Sequence, residues 1–212
     1  MSRKKLYTIG EEIANSITHG IGTALSIVAL VILIVLAAKQ NDTWRIVSFS
    51  IYGTTLILLY LASTLYHAIQ HEKTKKLFRI LDHSSIFLLI AGTYMPFLLV
   101  SLRGSWGWSL FGTIWSLAII GIVFKSIFIH KFKKISVVVY VLMGWLIVIA
   151  LKPMLHHIEQ GGLRWLAAGG LSYTSGVIFY AMKSLKFSHA IWHLFVLGGS
   201  ISHFFAILFY VL

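Results

Sequence analysis

Cysteine is absent from the 212 residues. That excludes a disulfide framework, a thiolate metal site and a cysteine nucleophile, and it leaves the redox compartment unread. Charge is also scarce. Charged residues make up 11% of the chain, where a soluble domain carries about 25%. There are six acids against 18 lysines and arginines, so a carboxylate near an apolar segment stands out. Prolines number two, and Pro96 is expected to kink the segment that holds it by removing a backbone donor. No internal repeat or low-complexity tract is visible, and no soluble domain is expected at either end.

Apolar sequence fills the space left, with 58% of residues hydrophobic. A membrane-spanning helix needs about 20 mostly apolar residues. Seven segments qualify, at about 16–38, 44–68, 79–101, 106–129, 135–151, 163–183 and 189–211. The expected fold is all-α: one integral membrane domain over residues 1–212, with seven transmembrane helices. Short connections make neighbouring helices antiparallel. The net charge of +12 does not indicate nucleic-acid binding, because the basic residues sit between apolar runs instead of forming one patch. Arg3, Lys4 and Lys5 precede an apolar run too long for a cleavable signal, with no small-residue cleavage pattern.

The basic residues divide unevenly between the two ends of the bundle. Arg3, Lys4, Lys5, Lys73, Lys75, Lys76, Arg79, Lys125, Lys131, Lys133, Lys134, Lys183 and Lys186 fall on one side. Lys39, Arg45, Arg103, Lys152 and Arg164 fall on the other. This asymmetry places the N-terminus in the cytoplasm and the C-terminus outside. Trp44, Trp106, Trp108 and Trp165 lie at outer helix ends, as an interfacial aromatic belt requires. Ala168, Ser172 and Gly176 on the sixth segment, and Gly198, Gly199, Ser200 and Ser202 on the seventh, form small faces that let helices approach closely.

Depth follows by counting along antiparallel helices. Ser63 and His67 close the second segment, Asp82 opens the third, and His189 and His193 open the last. All fall near the cytoplasmic face, with Asn15 and His19 of the first segment at the same level. His189 and His193 are four apart, so their imidazoles share a helix face. An isolated His-x-x-x-His is most simply a hydrogen-bonded pair or an interfacial one. With His67 added, three neutral imidazoles and a water make the open four-coordinate set of a catalytic zinc site, and zinc suits imidazole without thiolates.

Ser63 lies four residues before His67 on the same face. It is either a packing serine bonded to its own helix or a hydrogen-bond partner for a substrate oxygen or the metal's water. Asp82 is either a cap or a partner of Arg79, or the carboxylate that holds that water and accepts its proton. Orienting a ligand histidine is its other functional role. Glu12, Asn15, Thr18 and His19 form Glu-x-x-Asn-x-x-Thr-His; helix-start capping competes there with a role behind the ligands. His203 lies about 15 Å along the axis from His193, too far to share a metal, and is expected to make an interhelical hydrogen bond. His71 and His130 read as solvated loop residues, and His156 and His157 as lying outside and off the site.

Taken together, Glu12-x-x-Asn15-x-x-Thr18-His19, Ser63-x-x-x-His67, Asp82 and His189-x-x-x-His193 resemble the hemolysin III and progestin/adiponectin receptor family. The likeness extends from about Glu11 to Leu212. It implies seven transmembrane helices with a cytoplasmic N-terminus. It also implies zinc (Zn2+) held by His67, His189 and His193, with Asp82 on the zinc-bound water. A wider kinship to alkaline ceramidases implies that a serine, acid and histidine set acts on lipid amides. The compact ends fit the bacterial hemolysin III branch, so a multi-pass bacterial membrane protein is expected and a soluble hormone ligand is not.

Three functions follow as expectations. The first is a zinc-dependent hydrolase of a lipid amide or ester, with a membrane lipid as substrate, Asp82 as proton acceptor and Ser63 assisting the oxyanion. The second is a pore-forming or membrane-perturbing protein, although no helix carries a charged stripe able to line a wide pore. The third is a sensor of membrane state with structural zinc.

Overall fold

The computed structural model describes residues 7–129 and 132–212. The N-terminal basic cluster Arg3–Lys5, His130 and Lys131 fall outside the described residues. The chain runs through α1 (Ile9–Lys39), α2 (Thr43–Ala68), α3 (Glu72–Pro96), α4 (Ser105–Ile127), α5 (Lys133–Trp145), α6 (Leu151–His157), α7 (Gln160–Ala181) and α8 (Ser188–Tyr210). No strand occurs among the described residues.

Residue polarity in this bundle is turned inside out, and α1 shows it most clearly. Ile9, Ile13, Ile17 and Ile21, spaced at four, are exposed. Asn15, His19, Gly22 and Ser26, at spacings of four and three, are buried. A helix in water does the reverse. In lipid the apolar stripe faces the solvent, and polar side chains turn inward to find partners.

Among the described residues, six helices are long and apolar enough to cross a membrane: α1 to α4, α8, and the rod Lys134–His157. That rod combines α5, a 3-10 stretch Leu146–Ala150 and α6. It runs past the expected end at 151, because Pro153 falls in the first turn of α6, where proline is tolerated. The remaining helix, α7, has 22 residues, about 33 Å. Its glycines, serines and threonines dilute its hydropathy.

Other expected boundaries also move. α1 begins at Ile9 instead of 16 because Thr8 and Glu11 form a capping box. α3 begins at Glu72 instead of 79, bringing its basic turn into the helix. Pro96 ends the regular part of α3, and a π-helical turn follows over Phe97–Ser101. The missing proline N–H is absorbed there by a change of winding.

Packing follows chain order: α1 lies on α2, α2 on α3, α3 on α4 and α7 on α8, while α8 closes back on α1. Both ends are tied. At one, Arg45 Nε donates to the Val211 carbonyl at 2.9 Å and Gln40 Nε2 to the Leu212 carbonyl at 3.1 Å. At the other, the Phe187 N–H donates to Glu11 Oε1 at 3.2 Å. Phe187 takes a left-handed conformation with φ of 58°, and this turn sets the start of α8.

The small faces on α7 and α8 do meet. A methyl group on Gly176 would fall 2.7 Å from Phe195 Cβ, and one on Gly199 would fall 2.7 Å from the Tyr173 ring. Ala168, however, is exposed. Gly169, Ser172 and Gly176 face α8, and a residue one position earlier is turned about 100° away.

Candidate metal centre

Helices α2 and α8 bring three imidazoles together, backed by α1, at the end of the bundle where α1 and α8 begin. One ring nitrogen from each of His67, His189 and His193 lies within 4.8 Å of the other two. His67 and His193 are fully buried and His189 is partly so. The ring centroids stand 5.1 Å apart for His67–His189, 5.4 Å for His67–His193 and 4.5 Å for His189–His193.

The outer nitrogens of two of these rings are already committed. His67 Nδ1 lies 2.6 Å from Glu12 Oε2. A carboxylate only accepts, so Nδ1 carries the proton. Glu12 Oε1 accepts from Lys75 Nζ at 2.8 Å, and the Asn15 amide stands beside His67 Nδ1 at 3.4 Å. His193 Nδ1 faces the Asn15 carbonyl at 3.2 Å and Thr18 Oγ1 at 3.1 Å. The Thr18 hydroxyl donates to the Ala14 and Asn15 carbonyls at 2.9 and 3.0 Å. His193 Nδ1–H is therefore a donor as well.

In both rings this leaves the Nε2 lone pair directed inward. His67 Nε2 and His193 Nε2 are buried with no hydrogen-bond partner in the protein. Buried polar atoms are rarely left so. Fixing a ligand histidine's tautomer through a carboxylate or carbonyl on its far nitrogen is the arrangement metal sites use. Tetrahedral zinc with bonds of about 2.0–2.1 Å spaces its nitrogens about 3.4 Å apart, so a small inward movement of the rings completes the set. The residues fit a metal ion with imidazole preference.

The neighbouring side chains hold the ligands in place. His19 stacks flat on His193, with centroids 3.4 Å apart and planes at 13°. Tyr60 packs edge-on to His19 at 5.0 Å. Tyr7, Trp192 and Tyr180 surround His189 at 5.0, 4.9 and 6.1 Å. Ser63 is buried, and its hydroxyl has no partner. Asp82 sits inside α3, not at its cap, and Oδ2 lies 3.2 Å from His83 Nδ1. Asp82 lies outside the imidazole triangle but lines the same internal cavity as His19 and His189.

The motif Glu-x-x-Asn-x-x-Thr-His thus backs the ligands, while the capping box uses Glu11, not Glu12. His203 Nε2 meets the Leu166 carbonyl at 3.3 Å, the expected interhelical bond. His71 pairs with Thr74 Oγ1 at 2.9 Å at the start of α3, and His156 and His157 are exposed at the end of α6. Two participants escaped the sequence reading. Tyr7 carries no periodic signal, and Lys75 is one of several lysines in a basic run.

The sequence profile of the family described as Haemolysin-III related matches residues 7–204. The chain is 56% identical to Hemolysin-3 of Bacillus cereus over 204 residues, covering 96% of this chain and 93% of the relative. It is 54% identical to the Hemolysin-3 homolog of Bacillus subtilis over 205 residues, covering 97% and 96%. It is 31% identical to the human monocyte to macrophage differentiation factor over 206 residues, covering 94% and 84%. The chain therefore belongs to the haemolysin III-related family, as a multi-pass bacterial membrane protein.

Proposed function

We propose that the protein is a zinc-dependent hydrolase of a lipid amide or ester, working within the membrane near its cytoplasmic face. The observation that carries this reading is the set of three imidazoles, two with tautomers fixed from behind and inward nitrogens buried, beside a largely apolar cavity. His67, His189 and His193 would hold the ion. When bound, zinc polarises a carbonyl and makes water nucleophilic near neutral pH.

The chain's own residues divide the remaining work. Asp82, on the cavity wall, accepts the proton of the attacking water. The Ser63 hydroxyl donates to the carbonyl oxygen as negative charge builds there. Apolar walls such as Ile86, Ile90, Val141 and Val177 hold the acyl chain and exclude bulk water. The basic asymmetry of the loops supports a site on the cytoplasmic side.

Metal analysis of the purified wild type beside a His189→Ala, His193→Ala double variant is the first test. One equivalent of zinc in the wild type and loss in the variant are expected. Turnover is then measured on ceramides, acylated amines and phospholipid esters. If zinc-loaded protein hydrolyses none of them while the variant loses thermal stability, zinc is structural and the hydrolase reading fails. The name of the Bacillus cereus relative, Hemolysin-3, favours a membrane-perturbing role as the second reading. Liposome dye release that survives replacement of all three histidines selects it.

A further inference from the structure

A metal ion needs a way in to the three imidazoles. His67 and His193 are fully buried, and taking a divalent cation through hydrocarbon would strip its water with nothing in exchange. The route therefore opens at the aqueous end of the bundle, where α1 and α8 begin. Acidic residues gather at that end. Glu11 and Glu12, two of the six acids in the chain, lie in the first turn of α1. The Glu12 side chain is 14% exposed, although it reaches the buried His67.

Tyr7 stands in this route. Its ring lies 5.0 Å from the His189 ring and 5.8 Å from the His67 ring, while the residue itself is partly exposed. It forms the layer between the ligands and water. The other rings on His189 are fixed: Tyr180 and Trp192 are carried by α7 and α8 and pack on each other at 5.0 Å. Tyr7 precedes α1 and lies outside any helix, so no helical ladder holds its backbone. Its neighbours hold it, through the capping box of Thr8 and Glu11 and through the Phe187 N–H that donates to Glu11 Oε1. Thr8, Ile9 and Gly10 are exposed, and a methyl group on Gly10 would meet nothing within 4 Å. The segment can swing outward without displacing packed side chains, and helix starts are among the elements that open most readily.

We infer that Tyr7 is the gate of the metal centre: its ring lifts off His189 and His67 to let a divalent cation pass by way of Glu12, then closes over it. This rests on the reading that the three imidazoles hold an ion, but not on turnover. A gate has its own kinetic signature. It adds to the barrier shared by entry and exit, so removing it speeds both by one factor and leaves affinity unchanged. A side chain that only supports the ligands changes affinity instead.

The test uses Co2+ alone with the metal-free full chain in detergent. Entry is followed by stopped-flow quenching of tryptophan fluorescence, since Trp192 packs 4.9 Å from His189. Exit is followed by capture with excess EDTA. Tyr7→Ala should raise both rates at least about tenfold, the weight of two lost ring contacts, and keep Kd within about twofold of wild type. Tyr7→Phe keeps the ring and should exchange the ion at wild-type rates.

Unchanged rates in Tyr7→Ala overturn the inference, as do rates in Tyr7→Phe that match those of Tyr7→Ala. Faster exit with unchanged entry and weaker affinity also overturns it, because Tyr7 then only supports His189. If Tyr7→Ala does not fold, Thr8→Ala decides. That change loosens the capping box, keeps every ring and charge, and should speed entry and exit together; unchanged rates there overturn the gate. A wild type that takes up no Co2+ is a different failure, which removes the metal reading and the gate with it.

Discussion

Replacing Glu12 by alanine is a direct test of how the metal centre is held. The change leaves all three imidazoles in place. It removes the acceptor 2.6 Å from His67 Nδ1 and the partner 2.8 Å from Lys75 Nζ. Without the carboxylate, nothing as strong fixes the His67 tautomer, and the basicity of Nε2 falls. Loss of such a supporting partner weakens metal binding by about 10–100-fold, or about 1.4–2.7 kcal/mol. Glu12→Gln keeps an acceptor but not its charge. Charge-assisted bonds are roughly twice as strong as neutral ones, so the expected loss is about 3–10-fold. Zinc affinity is read by competition with a chromophoric chelator in detergent. Thr8→Ala is the control, because it loosens the start of α1 without touching His67. An affinity within about twofold of wild type in Glu12→Ala, or an equal loss in Thr8→Ala, refutes the role given to Glu12.

Three further outcomes are expected. Gly107→Ala should destabilise the bundle by about 1–3 kcal/mol, because the added methyl falls 2.3 Å from the Leu98 carbonyl oxygen. Gly112→Ala on the same helix, with nothing within 4 Å, should be neutral or stabilise by up to about 1 kcal/mol; thermal unfolding in detergent compares them. Ser200→Ala should cost about 1–3 kcal/mol in the same assay, since Ser200 Oγ meets both Tyr60 and Tyr173 hydroxyls at 2.7 Å deep in the bundle. Asp42 caps α2, and the Arg45 backbone N–H, with the Arg45 side chain, holds its carboxyl below the usual carboxylate range. Its lowered value means that the stability it adds is present above about pH 4 and is lost as pH falls through the depressed value. The melting-temperature gap between wild type and Asp42→Ala should therefore close in acid, and a gap unchanged to pH 2 rules this out.

The sequence by itself determined the class and the depth of things. Long apolar segments have one solution in lipid, because a backbone without water must satisfy itself within a helix. Spacings of four put His189 with His193 and Ser63 with His67 on common faces. Counting along antiparallel helices brought them to one level with Asp82 and His19. Which way a helix turns about its own axis is not contained in those counts. Tertiary packing of α1 on α2 and α8 decided that Glu12 reaches His67, and that the Asn15 carbonyl and Thr18 meet His193. Packing also turned Lys125 inward, although its place in the chain matches that of the lysines counted as loop charges. Length and hydropathy act along an axis and can be summed in one dimension. Ligand geometry, buried charge and cavity shape depend on the rotation and spacing of several helices at once, and only their mutual packing sets those.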